Sequence, residues 1–248
     1  MAKASPTRRP AESPPSRVRR GYFECRYGQL HVHNAMPPGG GFEEGTPLLC
    51  LHDVQGSAWV FAPFLALAGR DRSVYAPDLP GFGESDAPLS RPSVADYALA
   101  VGDFLDSMRL RHVEVLAYRA GTAVATELAL TRPAQVGRLA FVSVPLLNET
   151  ERQAAASASL PPDPNGRPAE LRRWGAEAAA QYPLRERLAK LTQRLLVLRP
   201  RDELREVTAR VREALPAARL MDLDLGGAEL FSSSPGQVAD AVREFLRS

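Results

Sequence analysis

The stretch VEVLAYRAGTAVATELAL, residues 113–130, poses the chemical question of this chain. An apolar run ends at Tyr118, small residues follow at Ala120, Gly121, Thr122 and Ala123, and a helical pattern takes over. Arg119 stands at the bend. A guanidinium holds its proton up to a pKa above about 12, so it can neither attack nor accept a proton. It can present a planar fork of donors to a carboxylate or phosphate. The acids of interest are Asp53 in LHDVQGSAWVF, Asp202 and Glu203 in LRPRDEL, and Glu229 in GGAEL. Asp202 and Glu203 follow an apolar run and are equally suited to the first turn of a helix. Imidazoles occur at His31, His33, His52 and His112, and none follows His112. His31 and His33 alternate on a strand pattern, where a surface or half-buried place is the expectation. Without an evident third ligand they are not expected to hold a metal.

The elements around these residues alternate. Segments 22–27 and 29–36 flank Gly28 and read as a hairpin. TPLLCLHD is a near-continuous apolar run of the kind that forms a buried parallel strand. Ser57 and Ser93 stand where they can cap the helices that follow. Strand and helix patterns then repeat to the end, with DELREVTARVREAL as one of the helices. Residues 148–190 break the rhythm, with a loop at LPPDPNGRP and a helix at AELRRWGAEAAAQY. The pattern predicts an α/β fold: a mostly parallel sheet, helices on both faces, and a short helical lid over the carboxyl ends of the strands.

Composition narrows the partners. The 248 residues suffice for one domain, and a net charge of +2 with 44% hydrophobic residues does not suggest nucleic acid. Residues 1–20, rich in Pro, Ser and Arg, are expected to be a disordered basic tail, with the domain over 21–248. No apolar run approaches a membrane span or a signal core, and two cysteines fit a reducing cytoplasm.

Two blocks carry a resemblance. LHDVQGSAWVF, residues 51–61, and APDLPGFGESDAP, residues 76–88, resemble the oxyanion loop and the following strand-end loop of the α/β-hydrolase superfamily. The resemblance covers roughly residues 20–248 and implies the α/β-hydrolase fold. It places Arg119 at the nucleophile of the G-x-S-x-G elbow, here Ala117-Tyr118-Arg119-Ala120-Gly121. It also implies that the amides of Val54 and Ala120 are the oxyanion donors, with His52 supporting their loop. Asp202 or Glu203 would stand at the acid and Glu229, allowing one deletion, at the histidine. Asp53 replaces a family glycine beside the oxyanion hole, and Trp59 and Tyr118 are candidate pocket residues.

With nucleophile and base both replaced, Ser-His-Asp hydrolysis is not expected. The expectation is a non-catalytic protein that binds a small organic molecule, an anion being one class that Arg119 suits, or acts as a homodimer or beside an active paralogue. No cofactor is expected. A non-hydrolytic lyase, isomerase or cyclase using Asp53 or Glu229 as base is the first alternative, and an unconventional esterase the second. Arg119 is expected to pair with Glu229, Asp53 or both, because an unpaired buried charge is costly.

Overall fold

The apolar runs assemble into an eight-stranded sheet in a computed structural model that describes residues 14–37, 45–54, 56–157, 168–226 and 230–248. In chain order the strands are β1 (Arg19–Cys25), β2 (Gly28–Ala35), β3 (Gly45–Leu51), β4 (Arg72–Pro77), β5 (Val113–Tyr118), β6 (Val136–Val142), β7 (Leu195–Arg201) and β8 (Arg219–Gly226). Their spatial order is β1-β2-β4-β3-β5-β6-β7-β8. The β1–β2 hairpin and the β2–β4 pair are antiparallel and the remaining pairs are parallel.

Every residue of β5 is buried because both faces of the sheet are covered. Val113, Val115 and Ala117 point into one core and Leu116 and Tyr118 into the other. On the first face lie α2 (Val94–Ser107) and α3 (Gly121–Thr131), and on the second α1 (Ala62–Ala68). Between β6 and β7 come α4 (Glu149–Ser157), α5 (Ala169–Gln181) and α6 (Leu184–Leu188), where the lid was expected. After β7 follow α7 (Arg205–Ala209) and α8 (Val211–Ala214), and after β8 come α9 (Leu230–Ser233) and α10 (Pro235–Arg247), which completes the second face.

Several expectations change. Ser93 does cap α2, in a reciprocal box with Asp96. Ser57 makes no side-chain cap, because the Asp78 carboxylate takes the Ala58 amide at 2.6 Å and a 3-10 turn (Ala58–Phe61) precedes α1. The single helix expected over 202–215 is two, since the Arg210 amide bonds Val207 and tightens the turn between them. The tail expected over residues 1–20 is ordered at its end: Ser16 is buried, its amide bonded to Ala66 and its hydroxyl to Gly69, and Arg19 and Arg20 already belong to β1. Residues 1–13, Gln55, Glu229 and most of the LPPDPNGRP loop lie outside the described residues. Among the described residues no helix is long and apolar enough to cross a membrane.

Candidate functional site at the β5 bend

Arg119 has φ +50°, the left-handed conformation, directly between β5 and α3. An L-residue there stores roughly 1–2 kcal/mol. The bend is closed by Gly121: a Cβ there would lie 2.5 Å from the Leu51 carbonyl and 2.6 Å from that of His52. The turn is therefore as sharp as a nucleophile elbow requires, with an arginine at its apex.

The guanidinium is largely enclosed and held from several sides. Its Nη1 lies 2.6 Å from Glu203 Oε1, its Nη2 3.7 Å from Asp202 Oδ2, and its Nε donates to the Tyr118 hydroxyl at 2.8 Å. Burial opposes the charge, but the bond to Glu203 and the nearby Tyr118 and Asp53 outweigh it and raise the arginine above its ordinary pKa. The same bond holds Glu203 below the usual carboxylate range. The two acids differ: Glu203 is mostly exposed, whereas Asp202 is buried, accepting the Ser143 hydroxyl at 2.6 Å and the Leu204 amide at 3.0 Å. Ser143 itself has φ +54° at the end of β6.

Asp53 corrects the expected pairing. It is not an ion-pair partner of Arg119; that role falls to Glu203 and Asp202 because β7 ends beside the elbow. Its Oδ1 instead accepts the Ala120 amide at 3.2 Å. One of the two expected oxyanion donors thus points at a carboxylate supplied by the chain. Burial raises Asp53 above its ordinary pKa, against the lowering influence of Arg119 and the Ala120 amide. His52 holds the loop as expected: Nδ1 donates to the Asp53 carbonyl at 2.7 Å and Nε2 accepts the Leu79 amide at 2.9 Å. The surface or half-buried place expected for His31 and His33 is corrected, since both are buried, and Asp78 stands beside them as a third residue with a potential ligand atom.

Above the bend lies a cavity of about 550 Å³. Asp53, Val54, Arg119, Ala120 and Glu203 form its floor, and Leu146, Leu147, Ala176, Ala179 and Leu184 supply apolar walls. Arg152, Tyr182 and Arg185 also line it, residues that sequence spacing did not single out. Tyr118 faces a smaller adjoining hollow, while Trp59 is 62% exposed and packs on His33 outside the cavity. Trp59 and His52 are therefore not cavity residues. The lid is pinned to α3 by Glu127, which accepts the Tyr182 hydroxyl at 2.8 Å and Arg187 at 2.6 Å.

Comparison with known proteins agrees with this architecture. The description of the alpha/beta hydrolase fold family matches residues 46–217, and the chain belongs to that family. The enol-lactonase from Burkholderia xenovorans LB400 superposes with a TM-score of 0.75 at 16% identity, over 92% of this chain and all of that one. A protein of Mycobacterium tuberculosis described only as uncharacterized is 31% identical over 117 residues, 47% of this chain and 34% of its own length. A haloalkane dehalogenase of Mesorhizobium japonicum is 36% identical over 101 residues, 40% of this chain and 32% of its own. The match therefore spans about a third of the length of these relatives.

Proposed function

We propose that this protein binds a small, predominantly apolar organic molecule in the cavity above the β5 bend without hydrolysing it. The observation that carries the reading is the double occupation of the centre. Arg119 has the left-handed φ at the bend between β5 and α3, and the Asp53 carboxylate accepts the amide of Ala120, which this reading takes as an oxyanion donor. A carboxylate there repels developing negative charge, so transition-state stabilisation is lost together with the nucleophile. The anionic ligand suggested by a lone arginine gains little support, because the guanidinium is already offset by Glu203 and Asp202. The apolar walls favour a neutral ligand instead.

Thermal-shift titration against neutral apolar compounds and carboxylates, run beside ester-turnover assays, tests this reading. A saturable shift with neutral compounds and no turnover is the expected result. Ester hydrolysis, or labelling by a serine-directed fluorophosphonate, would overturn it.

One observation favours a second reading. Asp53 combines a raised pKa with a place in the cavity floor, the setting of a general acid or base in a non-hydrolytic enzyme. Conversion of a cavity ligand that stops in Asp53→Asn would select that reading. Free Cys25 and Cys50 accord with a reducing, cytoplasmic setting. A homodimer or an active paralogue as partner is compatible with the same proposal, and light scattering with and without the paralogue measures it.

A further inference from the structure

On the second face of the sheet, away from the cavity, His31 and His33 project from β2 on the same side, two residues apart. They are 1% and 4% exposed. Their ring centroids lie 4.7 Å apart with planes at 82°. Asp78, buried at the end of β4, is fixed beside them: its amide bonds the His31 carbonyl, Oδ1 accepts the Ala58 amide, and Oδ2 accepts the Glu84 amide. The carboxylate also packs on Gly83, where φ is +51° and a Cβ would collide with it. A donor atom from each of His31, His33 and Asp78 lies within 4.8 Å of the other two, and among the described residues this is the one such cluster.

The hydrogen bonding gives the cluster a direction. His31 Nδ1 faces Asp78 Oδ2 at 2.8 Å, and a carboxylate accepts, so a proton is on Nδ1 and in the neutral ring the lone pair is on Nε2. Nε2 is buried without a hydrogen-bond partner, and so is His33 Nδ1. Two orphaned imidazole nitrogens in adjacent rings are costly unless something satisfies them, at about 1–3 kcal/mol each. We propose that His31 Nε2 and His33 Nδ1 ligate a divalent transition ion of the zinc or copper type, with Asp78 as the carboxylate that orients His31 and offsets the ion's charge.

The geometry and chemistry agree. Two imidazoles sharing an ion at about 2.0–2.1 Å and a tetrahedral angle stand with centroids about 5 Å apart, close to the spacing seen here. A carboxylate behind a ligating histidine is the usual outer-shell arrangement. Imidazole donors select zinc, copper or nickel over calcium and magnesium, which prefer oxygen. Access is short: Tyr22, 51% exposed, lies on His31, and Trp59, 62% exposed, lies on His33.

The test uses the full, untagged chain after chelation, with zinc measured by competition against a chromophoric chelator and copper(II) by tryptophan quenching. Trp59 is 5.4 Å from His33, so copper bound there quenches its emission. One equivalent of zinc, at least tenfold weaker in His33→Gln, and a quench that disappears in Trp59→Phe while zinc binding stays, are the expected results. His33→Gln leaves the His31–Asp78 bond in place, and circular dichroism verifies that it folds. Zinc binding that is absent at micromolar concentration, or equally tight in folded His33→Gln, overturns the proposal.

Discussion

Asp53 Oδ1 lies 3.2 Å from the Ala120 amide nitrogen and accepts its hydrogen bond, so an amide proposed as an oxyanion donor is satisfied by the chain itself. Ala120 follows Arg119 at the apex of the elbow and begins the turn into α3. In a nucleophile elbow the amide after the apex residue is held for an oxyanion generated during the reaction. Here it is already satisfied, and the carboxylate that satisfies it is desolvated.

The pH dependence of stability follows from that carboxylate. Its folded pKa is raised above the ordinary 3.8, so the folded state binds more protons than the unfolded state above that pH. The stability linked to protonated Asp53 is therefore fully present below pH 3.8 and is lost as pH rises through the folded value. Asp53→Asn carries no such titration. Wild type should lose stability relative to Asp53→Asn across that window, and the difference should level off above it. Denaturant melts of both proteins from pH 3 to pH 7 measure it, and parallel curves would refute the prediction.

At the elbow, backbone strain and ion pairing can be separated. Both Arg119→Gly and Arg119→Ala remove the bonds to Glu203 and Asp202, but only glycine relieves the left-handed φ of +50°. Arg119→Gly should be more stable than Arg119→Ala by about 1 kcal/mol. Because Glu203 is 65% exposed, losing its ion pair should cost no more than about 1 kcal/mol, and the longer contact to buried Asp202 is lost equally in both variants. Urea denaturation of the three proteins orders them, and equal stability of the two variants would remove the strain argument.

Much of this architecture was legible because it is written in local patterns. The continuous apolar run of β5 and the small residues after it announce a buried strand and a sharp bend whatever stands at the apex. Arg119, Asp53 and the two acids after β7 could be named from their places in the chain. Their pairing could not, because Glu203 meets Arg119 across 84 residues through the alignment of β5, β6 and β7. Periodicity predicted the β2 strand yet misjudged the burial of His31 and His33, since a single sequence does not show that the 3-10 turn and the loop after β4 cover that face. Asp78, 47 residues from His31, is brought to it only by the antiparallel pairing of β2 with β4.

The lid should be held by one buried acid. Glu127 on α3 accepts both the Tyr182 hydroxyl and Arg187, linking α3 to the ends of α5 and α6. In Glu127→Ala the Tyr182 hydroxyl loses its acceptor and Arg187 its counter-charge. The expected cost is about 1–2 kcal/mol, below that of a fully buried pair because Arg187 is 27% exposed. The loss should be local: amide exchange should quicken across residues 169–188 while β5 and β6 keep their protection. Uniform acceleration would show that Glu127 supports the whole fold rather than the lid.

The binding proposal makes its sharpest prediction at the cavity wall. Ala179 lines the space opposite the Arg119 floor, on α5, and it is only partly buried, so a larger side chain can turn into the open volume without entering the close-packed core. A benzyl group occupies a substantial part of about 550 Å³. Ala179→Phe should therefore weaken binding of any neutral apolar ligand found by thermal shift at least tenfold. Its own melting temperature should stay near that of wild type, because filling a pre-existing void costs little packing. Arg119→Gly, which changes charge at the floor but leaves the walls intact, should affect the same ligand far less. If Ala179→Phe binds as tightly as wild type while Arg119→Gly loses binding, the ligand is held by the guanidinium rather than by the apolar walls. The cavity's ligand would then be an anion rather than a neutral molecule.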